Sequence, residues 1–411
     1  MNDSMASLSD PIELPCGAPL PNRIVKAAMS EQLASKGQSP SRGLNRLYER
    51  WSLGGAGTLI TGNVMVDSQH LESVANVKVS GSPELERFRA WAEAGKAGGS
   101  AIFMQLNHPG RQTPRYVNAA PLAPSALAPV NLFRRAGVFG HSRAMSESEI
   151  EETIRSFARA AAFAKEAAFS GVQVHAAHGY LISQFLSPLT NLRRDGWGGT
   201  LEGRARFLRE TLRAIRAEVG GAYPLSIKLN STDFQRGGFT EEESLAVIRM
   251  LNEEGVDFIE ISGGNYESRA MLARAEREVF FLDYAAKARR ETSLPLMVTG
   301  GFRSRAVMEE SLASGAIDLI GIGRPFAQNP ELGRDLIEGR IERAEDPPPL
   351  PGLMRIGGAS EAMMSVVQMA MIAKGRDPAA GMSVRTLAPN LMRKFTRRLL
   401  KKLKRPLRAR A

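Results

Sequence analysis

The sequence predicts a (β/α)₈ barrel, a TIM barrel with a short C-terminal extension. Three observations carry that expectation. Short apolar or β-branched runs alternate along the chain with amphipathic helical stretches. Eight such runs can be counted, each followed by a helical pattern, the number a closed parallel barrel needs. The first run is not followed by the G-x-G-x-x-G turn that a doubly wound sheet, the competing architecture, places there.

In order, the strand candidates are 24–29 (IVKAAM), 58–66 (TLITGNVMV), 101–106 (AIFMQL), 171–177 (GVQVHAA), 224–230 (PLSIKLN), 258–263 (FIEISG), 294–300 (LPLMVTG) and 319–323 (LIGIG). Between them the helices announce their ends. Ser146 with Glu149, and Thr240 with Glu243, have the capping-box spacing. Gly255 ends the second of these, and Gly315 follows the last periodic residue of another. Residues 107–145, rich in Pro, Arg and Ala, are too long for a plain connection. Following the third strand, they read as a lid or side wall on the catalytic face. The barrel with this lid is expected over 1–344 and the extension over 345–411. Within the extension, "EDPPPLPG" reads as a linker and 358–373 as a helix.

Composition narrows the class. The net charge is +11, yet residues 391–411 hold ten Lys or Arg and no acid, so the remainder carries +1 (11 − 10). Only the tail is basic. Its mixture of cations with Phe395, Leu399, Leu400 and Leu403 suits an anionic membrane surface better than a specific nucleic acid; a merely solvated, disordered tail is the alternative. No apolar stretch has membrane-spanning length, and the N-terminus lacks a basic region followed by an apolar core. The expected location is cytoplasmic, peripheral to the membrane where the tail engages it. Cys16 is the single cysteine, which excludes an internal disulfide and any all-cysteine metal site.

Strand alternation sorts the chemistry. In "VQVH", Gln173 and His175 share one phase; in "LSIK", Ser226 and Lys228 share one; Gln105 opposes Ile102, Met104 and Leu106. The polar sets are expected to point into the barrel. Gln105, His175 and Lys228 then converge near the C-terminal ends of their strands, where barrel active sites sit. The stretch "HAAHGYL" (175–181) adds His178 and Tyr180. Its two imidazoles could ligate a metal, although no carboxylate or third histidine lies near in sequence and only His108 is placed nearby. They could be structural, or they could donate hydrogen bonds to a substrate oxygen, with Tyr180 as proton donor. At strands seven and eight, Gly300 and Gly301 in "VTGGF", and Gly323 with Arg324 in "IGIGRPF", have the character of a barrel phosphate site. Tight βα turns alone would also call for those glycines.

Over roughly residues 10–340 the chain resembles the old yellow enzymes, the NAD(P)H:flavin oxidoreductase and ene-reductase group of (β/α)₈ barrels. "NRIVKAAMS", "QLNHPGR", "HAAHGYLISQFLSPLTNLRRDGWGG", "VTGGF" and "IGIGRPF" carry the likeness. The resemblance implies noncovalent FMN over the barrel mouth and NADH or NADPH as co-substrate. It implies that Ala28, Met29, Ser30 and Gly62 contact the flavin, with Ser30 where the family has a Thr or Cys. Gln105 and Lys228 would bond the pyrimidine edge, Lys228 standing for a commoner Arg. Gly301, Gly323 and Arg324 would hold the phosphate. His175 and His178 would bind the substrate oxygen, and Tyr180 would protonate the substrate. The departures are Ala27-Ala28-Met29 for the usual "APM", Trp197 for a tyrosine, and Gly203 for an asparagine. Larger relatives hold an iron–sulfur cluster on four cysteines, which one cysteine excludes. The expected activity is hydride transfer from NAD(P)H through FMN to an electron-poor alkene or a quinone, with small-molecule partners. An aldolase using Lys228 as nucleophile, and a barrel serving as a membrane-surface scaffold, are the alternatives.

Overall fold

The structure is a computed structural model and describes residues 6–79, 81–128, 138–264, 278, 280–348 and 358–378. Eight parallel strands close on themselves: β1 (Ile24–Lys26), β2 (Thr58–Ile60), β3 (Ala101–Asn107), β4 (Gly171–Ala176), β5 (Leu225–Asn230), β6 (Phe258–Ser262), β7 (Leu296–Thr299) and β8 (Leu319–Ile322). Closure is made by β8 against β1, with Ile320 opposite Ile24 and Ile322 opposite Lys26. Around them lie α1 (Arg42–Leu53), α2 (Leu85–Lys96), α3 (Glu147–Glu166), the short α4 (Leu181–Leu186), α5 (Leu201–Val219), α6 (Glu241–Leu251), α7 (Leu282–Ala288), α8 (Arg305–Ala313), α9 (Pro325–Gln328) and α10 (Leu332–Ile337). Both expected capping boxes are formed, at Ser146 for α3 and at Thr240 for α6.

The register bears out the inward phase of Gln105, Gln173, His175, Ser226 and Lys228, and stratifies the interior. Toward the N-terminal ends it is apolar. A two-stranded hairpin, Ile12–Glu13 against Pro19–Leu20, closes that end. Leu14 and Leu20 pack there on Val25, Ile60, Phe103, Phe258, Met297 and Leu319. Gly171 is glycine because a Cβ would meet the Phe103 ring at 2.5 Å and Pro224 O at 2.8 Å. Toward the C-terminal ends the same phase turns polar, and that layer becomes the floor of the site.

The run expected as one strand over 58–66 is broken. It pairs as β2 and again at Val64–Met65, with Gly62 between. There the Gly62 N–H leaves the ladder and donates to the Glu31 carboxylate. The first strand likewise ends at Lys26 rather than residue 29.

The expected helix of the extension is α11 (Gly358–Ile372), packed on α1 and α9. The described part of 107–145 holds a 3₁₀ turn, Gly110–Gln112, and a short parallel pair, Leu122–Ala123 with Arg143–Ala144. Residues 129–137 and the basic tail, 391–411, lie outside the described residues. Among the described residues no helix is long and apolar enough to cross a membrane.

Candidate active site

The floor is a continuous hydrogen-bonded chain inside the barrel. Gln105 Nε2 donates to Gln173 Oε1 at 2.7 Å, and Gln173 Nε2 donates to Glu260 Oε2 at 2.9 Å. Glu260 Oε1 lies 2.7 Å from Lys228 Nζ. All four residues are buried. A buried ammonium needs a counter-charge, and Glu260 supplies it from the neighbouring strand, directly opposite Lys228.

Above the floor stand the histidines. His175 is next to Lys228 in the β4–β5 register. Its Nδ1 accepts from the Ala177 N–H at 3.2 Å, so in the neutral ring the proton is on Nε2 and that nitrogen donates. His178 adopts φ +62°, a left-handed conformation disfavoured for a non-glycine residue. It is held there by Asn230 Oδ1, which accepts from its backbone N–H at 3.2 Å, and by Ser262 Oγ, 2.8 Å from Nε2. Burial pushes both imidazoles well below their usual titration range, and the nearby Lys228 charge pushes the same way. They are neutral donors at pH 7.

Tyr180, at the start of α4, packs edge-on to His175 with ring centroids 4.9 Å apart. Its hydroxyl donates to Glu72 Oε1 at 2.9 Å. The other Glu72 oxygen accepts from Ser30 Oγ at 3.1 Å and Asn63 Nδ2 at 3.0 Å.

The rim brings together the remaining expected residues. Ala28, Met29 and Ser30 follow β1, half-buried. A Cβ on Gly62 would lie 2.3 Å from Met29 O and 2.1 Å from Glu31 Oε2. Behind this turn, Tyr48 donates to Glu31, while Lys26 Nζ donates to Ile60 O at 2.6 Å and Tyr48 Oη at 3.2 Å. Lys26 sits over the Trp51 and Tyr48 rings, and burial lowers its pKa to about 8.

Across the mouth, Gly300 and Gly301 take φ +144° and +89°. A Cβ on Gly323 would meet nothing nearer than Met29 Cγ at 3.8 Å, so its backbone borders open space. Among the described residues, Thr299 Oγ1 and both amide atoms of Asn107 are buried without a hydrogen-bond partner. Buried polar atoms are ordinarily paired, and these lie on the inward phase at the strand ends. Arg324 is already engaged by the extension: Glu361 Oε2 of α11 lies 2.5 Å from Nη1 and Asp346 Oδ1 lies 3.4 Å from Nε.

His108, the expected third histidine, does not join the pair. It stacks on His70 at a centroid separation of 4.5 Å, and both face Asp67. His70 Nδ1 is 2.6 Å and His108 Nε2 3.5 Å from Asp67 Oδ2. These three could in principle gather round an ion. Their tautomers oppose it. The far nitrogens accept backbone N–H groups, His70 Nε2 from Leu122 and His108 Nδ1 from Gly110. The near nitrogens therefore carry the protons and have no lone pair to offer. The cluster fastens the segment after β3 to the β2–β3 connection.

Sequence reasoning missed Glu260, Glu72 and the Lys26–Tyr48–Glu31 group. Glu260 had a usable signal: in "FIEIS" an acid shares its phase with Phe258 and Ser262, an inward charge that needs a partner. Glu72 and Glu31 lie in irregular segments where no periodicity points anywhere.

Residues 7–343 match the family described as NADH:flavin oxidoreductase / NADH oxidase. The chain is 41% identical over 357 residues to the NADH-dependent flavin oxidoreductase iliE of Neonectria sp. (strain DH2), covering 80% of this chain and 46% of that protein. It spans less than half the length of that relative. It is 38% identical over 343 residues to the NADH-dependent flavin oxidoreductase nadA of Aspergillus parasiticus, covering 79% of this chain and 77% of that protein. Among solved structures, the old yellow enzyme homologue from Zymomonas mobilis superposes with a TM-score of 0.71 at 26% identity, covering 82% of this chain and 94% of that one.

The Asp67–His70–His108 cluster generates a pH prediction. Burial lowers the His108 pKa from 6.5 to about 4, and repulsion from His70 adds to this. A base whose folded pKa is depressed stabilises the fold above its unfolded pKa, and that contribution is lost as pH falls from about 6.5 towards 4. Burial alone would raise the Asp67 pKa, but hydrogen bonds from His108 and His70 outweigh it and hold the carboxyl well below the carboxylate range. Asp67 therefore stays charged across this window. Denaturant unfolding of the wild type should lose stability between pH 6.5 and 4, by up to roughly 1.4 kcal/mol per pH unit more than His108→Gln. Identical slopes for the two proteins would contradict the cluster as described.

Proposed function

The chain belongs to the NADH:flavin oxidoreductase / NADH oxidase family, and we propose on that ground that it is an NAD(P)H-dependent flavin oxidoreductase with FMN as cofactor. On that premise we propose that it reduces electron-poor alkenes, such as α,β-unsaturated carbonyl compounds, and quinones. The observation that carries this reading is the neutral pair of buried His175 and half-buried His178 beside the Tyr180 hydroxyl. Two imidazole donors and a phenol are what a conjugated carbonyl needs as it accepts hydride: hydrogen bonds to the oxygen that gains charge, and a proton for the adjacent carbon.

FMN, when bound, supplies the redox chemistry, accepting hydride from NAD(P)H and passing it to the acceptor. The residues present fit it. The open backbone at Gly323 and the left-handed turn at Gly301 suit a phosphate. Arg324 keeps guanidinium donors for it while Asp346 and Glu361 fix the orientation of the fork. Lys228 and Gln105, locked by the chain through Gln173 and Glu260, hold the electron-rich pyrimidine edge. Ala28, Met29, Ser30 and Gly62 line the ring, and the close approach of Met29 O to Gly62 leaves no room for a side chain there. Without a hydrogen-bond partner among the described residues, Thr299 Oγ1 and Asn107 remain available to bound groups. The neutral state of His175 matters: as an imidazolium it would bind anions indiscriminately and add a second buried cation beside Lys228.

We assign the basic tail, residues 391–411, to an anionic membrane surface, with the barrel in the cytoplasm. Truncation after Asn390 should leave turnover intact and abolish binding to anionic liposomes at low salt. Full-length protein that ignores such liposomes would end that assignment.

The two half-reactions separate the roles at the site. Reduction of the flavin by NAD(P)H draws no proton from Tyr180. In stopped-flow experiments Tyr180→Phe should therefore leave flavin reduction nearly unchanged and slow reoxidation by an enone by roughly 10²–10⁴-fold. Quinone reduction should suffer less, because quinone oxygens take protons from solvent. A Tyr180→Phe enzyme with full enone turnover would remove the donor role from Tyr180.

A further inference from the structure

Tyr180 is almost wholly buried, 1% exposed, whereas Glu72, which accepts its hydroxyl proton, is only half-buried. An ionised carboxylate can only accept, so with Glu72 charged the phenol proton is committed to Glu72 and not to a substrate. If Tyr180 gave that proton away, a phenolate and a carboxylate would be left 2.9 Å apart, a like-charge contact that opposes the transfer. The arrangement runs forward when Glu72 carries a proton. Its hydroxyl then donates to Tyr180 Oη, and the phenol hydrogen is no longer held by Glu72.

Resting on the proton-donor reading of Tyr180, we propose that Glu72 is a positioning residue that supplies the Tyr180 proton in alkene reduction. As hydride reaches the β-carbon, the O–H bond of Tyr180 breaks and a C–H bond forms at the α-carbon. The Glu72 proton moves to the Tyr180 oxygen, leaving neutral tyrosine and a carboxylate, and water at the exposed side of Glu72 restores the acid.

Two neutral donors keep Glu72 in place. Ser30 Oγ and Asn63 Nδ2, from the β1 and β2 connections, both bind Oε2, which aims Oε1 at Tyr180. Among the described residues, the titratable groups facing Glu72 are Tyr180 and Tyr116. Burial raises the Tyr116 pKa and the Glu72 charge raises it further. His175 stands beyond Tyr180.

Glu72→Gln keeps a hydrogen-bonding amide at the position but cannot deliver a proton. In the FMN-loaded enzyme it should slow enone-driven flavin reoxidation roughly 10- to 100-fold. Flavin reduction by NADH and the Kd for a para-substituted phenol should stay within about twofold of wild type. Glu72→Asp should recover most of the rate. In a Tyr180→Phe background, Glu72→Gln should add no further slowing, because the two act in series. Full enone turnover in Glu72→Gln, additive slowing in the double variant, or an equal loss in both half-reactions overturns the relay while leaving Tyr180 as donor. Full turnover in Tyr180→Phe overturns the donor reading and the relay with it.

Discussion

Lys228 can occupy the interior of a closed barrel only because Glu260 faces it from the next strand. A lone ammonium there would cost several kcal/mol, and removing one member of a buried pair typically costs about 3–5 kcal/mol. The Lys228–Glu260 contact then propagates. Glu260 also receives Gln173, and Gln173 receives Gln105, so the strands from β3 to β6 are linked across the interior at one height. Below this layer the barrel is filled by Phe103, Phe258 and Met297 with the hairpin leucines. Above it, every group must reckon with the cation.

That charge helps to define the chemistry of the mouth. His175, buried, and His178, half-buried, lie beside it, and desolvation and the cation both favour the neutral rings. A backbone N–H at His175 Nδ1 settles which nitrogen carries the proton. The left-handed turn at His178 is strained, and its cost is met by Asn230 and Ser262 on the two following strands. Positioning thus comes from the barrel strands, while the groups that vary in environment, Glu72 and Ser30, come from the connections. The segment after β3 is tied down separately, by the Asp67–His70–His108 cluster.

Much of this is legible in the amino-acid sequence. Period-two alternation places Gln105, His175 and Lys228 on one inward phase, because a strand offers two faces and the helix layer claims the apolar one. Capping-box spacing locates the starts of α3 and α6, since those contacts are local. What is not legible depends on distant segments. The Gly62 break in the second strand is caused by Glu31, 31 residues away, and nothing in "TLITGNVMV" reveals it. Position after β3 puts His108 near the histidine pair, but its ring turns the other way, to Asp67. Arg324 is readable from its motif alone. That Asp346 and Glu361 of the extension hold it depends on how that segment folds back, and its sequence carries no sign of this.

Central to this account is that His175 and His178 together hold an anionic oxygen above the cofactor. Titration of the FMN-loaded protein with a para-substituted phenol tests it most directly, because a phenolate stacked on oxidised flavin gives a long-wavelength absorbance band. The account predicts that His175→Ala and His178→Ala each weaken phenol binding roughly tenfold or more, while Tyr180→Phe retains both the band and the affinity. Unchanged phenol affinity in both histidine variants would contradict it.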